Sequence, residues 1–235
     1  MNRKAFLVVS LALGAGMLGG CAHKGAGETA ASPEIREEWL ARVPRDQLGN
    51  VEQARAQLRM AEDEANRADV DVQDAKREKE VASKEAEAAK TSEEAAKKQV
   101  DAARHTGQEH NIQQAQAQLD HAKANRQMVD DRTKVMDDRI KAAEARRDLA
   151  RARVETQRAM VKQSEYNALR AQGDTRVKKM EPTQFESAIS QARAREAEAE
   201  SKLRQAEQQV AASEQRLHQS QQQLQARQPG TQPQG

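Results

Sequence analysis

The chain is poor in the residues that build compact cores. Of its 235 residues only 2 % are aromatic, namely Phe6, Trp39, Tyr166 and Phe185, whereas 32 % are charged. Aromatic side chains bury the largest areas in globular interiors, so their scarcity argues against a conventional globular core. Alanine fills most apolar positions, and a composition rich in Ala, Glu, Lys, Arg and Gln is typical of long helices and coiled coils.

Residues that interrupt helices are also scarce. Between residues 45 and 228 the only glycines are Gly49, Gly107 and Gly173, and the only proline is Pro182. Glycine and proline are the poorest helix formers, so their positions indicate where long helices end. The three predicted helices cover about 46–104, 109–172 and 183–227.

Apolar residues in these segments recur at alternating spacings of three and four. In the first segment, every seventh residue from Ala54 to Ala103 is alanine, and only Lys79 and Glu93 are polar along the whole seam. A disordered chain has no reason to keep this register, so the pattern favours a left-handed coiled coil. The principal seam residues are Val51, Ala54, Leu58, Ala61, Ala68, Val72, Ile140, Val154, Leu203, Val210 and Leu217.

Short turns between long helices favour antiparallel neighbours. The predicted fold is therefore all-α: an elongated, alanine-rich, antiparallel coiled coil of three long helices, with no β-sheet. Thr106 with Glu109, and Thr183 with Glu186, have the spacing of a capping box, which satisfies the amides at a helix start. These pairs predict the beginnings of the second and third helices.

The sequence carries no arrangement of residues typical of an active site. His105 and His110 flank the first predicted turn beside Glu109, but a zinc site needs closer pairing on one helix face and a third ligand. A Gly-rich phosphate loop and a serine elbow are both missing. We therefore expect no catalytic residue, no metal, no small-molecule substrate and no enzymatic activity.

The first 20 residues have the organisation of a cleaved signal peptide. Arg3 and Lys4 precede an apolar run from Ala5 to Met17, which is shorter than the about 20 residues of a membrane span. Cleavage would remove two of the 39 basic residues and leave 37 of each sign. The mature chain is thus expected to be neutral, without the basic face that nucleic-acid binding requires.

The segment Leu18-Gly19-Gly20-Cys21, which contains the only cysteine, resembles the lipobox of bacterial lipoprotein precursors. The resemblance implies cleavage between Gly20 and Cys21, and acylation of the Cys21 thiol and of the new amino group. Two or three acyl chains anchor a protein stably. Ala22 stands where this family carries aspartate for inner-membrane retention, which implies the outer membrane, facing the periplasm, if the host has two membranes. A secretory signal without lipidation is the alternative.

These features divide the chain into four parts. They are a signal peptide over 1–20, a lipidated cysteine with a flexible tether over 21–45, a three-helix coiled-coil rod over 46–227, and a disordered tail over 228–235. A short helix over 33–42 is predicted within the tether, because Pro33 can open a helix.

Residues 150–225 also resemble the helical hairpin of periplasmic adaptor (membrane-fusion) proteins of efflux pumps. The resemblance rests on Tyr166-Asn-Ala-Leu169, on Gly173 and on Thr183-Gln-Phe-Glu-Ser-Ala188. It implies that the loop containing Gly173, Pro182 and Thr183 is a hairpin tip that docks on a partner. The chain lacks Gly- and Val-rich strands for the lipoyl and barrel domains of that family, so the resemblance concerns the hairpin alone.

Two functions are expected from these features. In the first, the chain is a membrane-anchored lipoprotein that acts as a structural or scaffolding element of the cell envelope through helix–helix contacts. In the second, it is an accessory or adaptor-like subunit of an export or efflux machine and docks through residues 173–183. The expected partners are the lipid bilayer, through acylated Cys21, and a second copy or another envelope protein. No cofactor is expected besides the covalent lipid.

Overall fold

The computed structural model describes residues 34–227, so the predicted signal peptide, the lipidated cysteine and the predicted disordered tail lie outside the described residues. Its helices are α1 (Glu37–Leu40), α2 (Gly49–Thr106), α3 (Glu109–Ala171) and α4 (Pro182–Ala226), with 3-10 turns at Arg45–Gln47 and Thr175–Val177. Residues 34–227 contain no strand. The predicted all-α fold of three long helices is confirmed.

α3 is the central helix of a rod, and both α2 and α4 pack against it. The two neighbours run antiparallel to α3, as predicted. Ion pairs join Glu64 to Arg153 and Glu93 to Arg126, so residue numbers rise along α2 as they fall along α3. At 1.5 Å per residue, α2 and α3 are about 90 Å long and α4 is about 70 Å long.

The predicted seam lies at the helix interfaces. Its fully buried members are Val51, Ala54, Ala61, Ala68, Val72 and Val154. Its half-buried members are Leu58, Ile140, Leu203, Val210 and Leu217. Because α2 and α4 pack mainly on α3, the longer side chains at the margins of each interface keep one side in solvent.

α3 carries a second buried stripe that the sequence interpretation missed. Ala115, Leu119 and Ala122, on the predicted seam, pack with Ala96 and Val100 of α2. The second stripe repeats every seven residues and consists of Val135, Ala142, Leu149 and Thr156. It faces α4, since the Thr156 hydroxyl donates a hydrogen bond to Glu196 Oε2 at 2.9 Å. A helix between two neighbours must bury two faces.

The two predicted capping boxes do not form. α3 begins after Gln108, and α4 begins after Glu181 with Pro182 in its first turn, and neither start is capped by a side chain. Thr106 still belongs to α2, and its hydroxyl donates to the Ala103 carbonyl at 2.7 Å. Gly107, with φ of +69°, ends α2 in the left-handed conformation, which glycine adopts without steric cost.

Along one side of the rod, ion pairs between α2 and α3 reverse their polarity. The pairs are Glu62–Arg158, Asp69–Arg151, Lys76–Glu144 and Lys79–Asp137. The first two place the acid on α2, and the last two place it on α3. A slip of one heptad would bring Lys76 opposite Arg151 in one direction and Asp69 opposite Glu144 in the other. The charges on this side thus favour one register, which an alanine repeat alone would leave open.

A pair of neighbouring valines tests the seam. Val72 is 2 % exposed in the α2–α3 interface, and Val70 is 57 % exposed on the same helix. We expect Val72→Asp to lower the free energy of unfolding by on the order of 3 kcal/mol, because it buries an unpaired charge. Val70→Asp should change it by less than about 0.5 kcal/mol. Urea unfolding followed by circular dichroism measures both, and equal losses would contradict the assignment of the seam.

Candidate functional site

The two ends of the rod are built differently. We call the first end the base, made of residues 35–51 and 165–185. Its buried core consists of Leu40, Val43, Val51, Tyr166, Ala168, Leu169, Val177 and Phe185. All three aromatic residues of the described range lie here, because Trp39 packs against this core. The base is the one part of the rod whose burial resembles that of a globular protein.

Aromatic stacking closes the base. The rings of Tyr166 and Phe185 stack with their centroids 4.7 Å apart, and Tyr166 Oη donates to the Met180 carbonyl at 3.3 Å. These contacts join the end of α3 to the start of α4 across the intervening loop. Stacked aromatic pairs add about 0.5–1.5 kcal/mol beyond the area they bury.

Residues expected to form a flexible tether pack on the base instead. Leu40 and Val43 are buried, and Trp39 and Leu48 are half-buried against the same core. The short helix α1 lies within the predicted range 33–42. The heptad pattern does not extend to this segment. Burial of its apolar side chains on the open end of the helices nevertheless stabilises the fold. The packed part of the predicted tether thus begins at Ile35, and its residues 21–33 lie outside the described residues.

The predicted docking loop belongs to the base. Gly173 and Thr183 are exposed, and Pro182 is half-buried. Between them Val177 lies in the core, and the Gln172 side-chain amide donates to the Gln47 side chain. The loop therefore lies at the end where the chain enters from residue 34, folded against that segment. It does not project as a hairpin tip.

A charged pair ties this loop to α1. Asp174 accepts hydrogen bonds from the side chain of Arg176 and from its backbone N–H, the latter at 2.9 Å. These bonds lower the pKa of Asp174 to about 2. The Arg176 guanidinium lies 5.0 Å from the centre of the Trp39 ring, within the range of a cation–π interaction. Asp174 thereby holds the cation against the indole.

Arg55 connects three helices at the base. Its Nη2 donates to Glu165 Oε1 on α3 at 2.7 Å, and its Nη1 donates to Glu37 Oε1 on α1 at 3.1 Å. The hydrogen bond that Arg55 donates to Glu165 is the main cause of the raised pKa of Arg55. Glu165 is largely buried, so this pair, like the Arg126–Glu93 pair, is better shielded from solvent than most ion pairs along the rod.

At the other end α2 and α3 extend beyond α4. Ser220 donates to Asp131 of α3, and α4 ends six residues later at Ala226, level with about residue 125 of α3. The extension is closed by the turn at Gly107. We call residues 92–125 the overhang. Its core of small residues comes from α2 and α3.

One side of the rod, which we call the arginine side, carries a row of arginines on α3. The row bonds to acids on both neighbours through Arg132–Glu85, Arg139–Glu214, Arg146–Glu207 and Arg153–Glu64, at 2.6–3.3 Å. An open groove runs along this side, with Arg139 and Arg146 on its floor. Asp74 of α2 and Val210 of α4 lie on its walls.

The residues considered for metal binding do not form a site. His105 and His110 are exposed on either side of Gly107. Within residues 34–227, no group of three or more His, Cys, Asp or Glu side chains is arranged to hold a metal ion. In the same range, no helix has the length and apolar character needed to cross a bilayer.

Two sets of residues were missed from the sequence although signals for them exist. Ile35, Trp39 and Val43 are apolar and lie outside any heptad, which indicates burial against something other than a coiled-coil partner. The second stripe of α3 repeats every seven residues from Val135 to Leu149, alongside the seam that the sequence interpretation followed.

The comparisons with known proteins assign no family. No family model matches the chain, and no similar curated protein or solved structure was found. The function is therefore argued from the geometry of the rod and from the lipobox-like segment.

The Asp174–Arg176 pair predicts a pH dependence of the base. The pKa of Asp174 is about 2 in the folded chain, below its ordinary value of about 3.9. Its stabilisation is thus complete above about pH 4 and is lost as the pH falls toward 2. We expect the fluorescence of Trp39 to change over this range. Asp174→Asn should show the altered emission at neutral pH.

The control is Asp46→Asn, which removes an exposed carboxylate of the same end of the rod. It should leave the emission at neutral pH as in the unaltered chain. Identical titration curves for Asp174→Asn and the unaltered chain would contradict the role given to Asp174.

Proposed function

We propose that the protein is a lipid-anchored coiled-coil lipoprotein that serves as a structural rod of the bacterial cell envelope. The lipobox-like segment ending in Cys21 supports the anchor. α2 and α3 are long and meet through interfaces of small residues. These features support a mechanical role, because the described residues form interlocked helices with open grooves. No enzymatic activity is proposed.

The observation that carries the proposal is the position of the base. Only 12 residues lie between Cys21 and residue 34, and this segment spans at most about 45 Å when extended. A lipid on Cys21 would therefore hold the base close to the bilayer. The overhang, at the opposite end of helices about 90 Å long, could then reach deep into the space beside the membrane.

The location and partners follow from the same features. Ala22 supports an outer-membrane lipoprotein facing the periplasm if the host has two membranes. The bilayer is the first partner, bound through the acylated cysteine. The second partner is another copy of the chain or another envelope protein, bound through helical faces. We propose no nucleic-acid partner, no small-molecule substrate and no cofactor other than the covalent lipid.

The alternative is an accessory or adaptor-like subunit of an export or efflux machine that docks through residues 173–183. Gly173 and Thr183 are exposed, as a docking loop requires. The loop lies in the base, however, so with an anchored Cys21 such a partner would have to lie at the membrane surface.

Lipidation is tested by Cys21→Ala in the full chain. We expect the unaltered chain to incorporate labelled palmitate and to fractionate with membranes, and the variant to lose both properties, because the thiol is the acylated group. Ala22→Asp should keep the label and, in a host with two membranes, move the protein to the inner membrane. Labelling that persists in Cys21→Ala, or is missing in the unaltered chain, would overturn the anchor.

The two functions are separated by where the protein is sensitive to change. In cells lacking the protein, a structural rod should fail to restore envelope integrity when it carries Val72→Asp, and should succeed with Lys178→Glu and Lys179→Glu in the loop. A docking subunit should fail with the loop variant while its helices stay folded. Detergent sensitivity of the cells is the measurement, with protein levels as the control.

A further inference from the structure

The arginine side of the rod has matched rows of opposite charge. The row on α3 is Arg153, Arg146, Arg139 and Arg132, and the row on α2 is Glu64, Asp71, Glu78 and Glu85. The bonds Arg153–Glu64 and Arg132–Glu85 show that the two rows are level with each other at both ends. A basic row therefore runs beside an acidic row for three heptads.

The contacts within one chain leave the middle of the acidic row without ion pairs. Arg139 and Arg146 bond to Glu214 and Glu207 of α4 rather than to α2. Among the described ion pairs none includes Asp71 or Glu78, which lie level with these arginines on α2 and line the open groove. A guanidinium has five N–H donors, so each arginine can donate hydrogen bonds to a second carboxylate.

Both rows lose their charge at the same level. Beyond Glu85 the next positions on α2 are Ser92, Gln99 and Thr106, and beyond Arg132 those on α3 are Asn125, Gln118 and Asn111. The change occurs where α4 ends. The opposite side of the overhang stays charged, with residues such as Lys97, Asp101 and Lys123. The uncharged face is thus specific to the arginine side.

A second groove lies on the same side of the overhang. Ser92, Ala95 and Gln99 of α2, with Gln118, His121 and Asn125 of α3, line a groove there. Each of them lies three heptads from a residue that lines the groove beside α4. The arginine side therefore carries equivalent grooves at two levels, charged beside α4 and lined by amides and small residues in the overhang.

Exposed apolar side chains border the acidic row. Met60 and Val81 are 63 % and 55 % exposed. They occupy the same heptad position of α2 as Asp74, which lines the groove.

We propose that the arginine side binds the arginine side of a second copy, with the two rods parallel and in register. A twofold axis along the rod places the acidic row of each α2 over the basic row of the partner's α3. The same axis places the Ser and Gln positions of the overhang over the partner's Asn and Gln positions. Amides carry both donors and acceptors, so these surfaces also match.

Charge decides the direction of the two rods. Face-to-face antiparallel pairing would bring each α2 against the partner's α2, so that acid would meet acid and arginine would meet arginine, at a cost. Parallel pairing avoids this. A helix about 10 Å wide in contact over the about 65 Å from Glu64 to Thr106 buries about 650 Å² on each partner, which lies within the range of stable interfaces.

The parallel pairing identifies a second copy as the partner in the proposed structural role. It rests on that role in one respect, namely the membrane anchor. Both bases lie at the same end, so both acylated cysteines can enter one membrane. Four or more acyl chains and a doubled cross-section would make a stiffer and more firmly held rod.

Disulfide formation between two co-expressed full-length copies tests the arrangement. One copy carries Gln99→Cys and the other carries Gln118→Cys, and both positions are exposed. We expect a disulfide-linked dimer of doubled mass only when both variants are present, because each cysteine faces the other position in the partner. Each variant alone should give none, since cysteines whose Cα atoms are more than about 7 Å apart cannot bond.

The matched control pair is Lys97→Cys with Asp120→Cys, at the same level on the opposite side of the overhang. A missing disulfide for the Gln99 and Gln118 pair in folded chains would overturn the proposal. So would equal yields in the control pair, a disulfide in either single variant, or capture of a different protein. Repeating the experiment in Cys21→Ala separates this proposal from the anchor, since pairing should persist without the lipid.

Charge reversal on the acidic row is a second test. In the detergent-solubilised full chain, we expect Asp71→Lys with Glu78→Lys to raise the dimer dissociation constant about tenfold or more. Glu87→Lys with Glu94→Lys, also seven residues apart but on the opposite side of α2, should leave it unchanged. Sedimentation measures both, and circular dichroism confirms that the helices remain. A monomeric unaltered chain, or equal weakening by both pairs, would contradict the proposal.

Discussion

The requirement that α3 bury two faces at once shapes the whole rod. One stripe, with Ala122 and Leu119, meets α2, and the other, with Val135 and Leu149, meets α4. The positions between the stripes are left for charged residues, which bond to both neighbours. Since α2 and α4 pack mainly on α3 and not on each other, grooves stay open on both sides of the rod, one of them on the arginine side. The proposed pairing surface is a consequence of this arrangement.

Alanine seams let helices approach closely but bury little area per residue. Two other kinds of interaction provide the register and the additional burial that the alanine seam does not provide. Polarity reversal between pairs such as Asp69–Arg151 and Lys76–Glu144 selects the register, although each exposed pair contributes at most about 1 kcal/mol. The aromatic core of the base, built around Phe185 and Tyr166, supplies concentrated burial at one end. The rod is therefore most tightly packed at the base and less tightly packed toward the overhang.

This gradient agrees with the proposed role. An anchor at Cys21 acts on the end that is best packed, so a pull on the membrane side would be carried by the base and by Arg55, which joins α1, α2 and α3. The overhang, with two helices and an uncharged face, has the fewest internal partners. A second rod placed parallel to the first would cover that face and the charged groove together.

The sequence alone determined the helices, their approximate ends and the antiparallel order, because heptad spacing and sparse glycine and proline are local signals. It also determined the lipobox-like segment, which is a contiguous motif. The tertiary structure decided what depends on residues distant in sequence. It placed Trp39 and Val43 on the core of Tyr166 and Phe185, and it turned the predicted docking tip into part of the base. It also decided that α3 serves two neighbours. A heptad repeat shows that a helix has a partner, but the number of partners and the side left open depend on how three helices pack together.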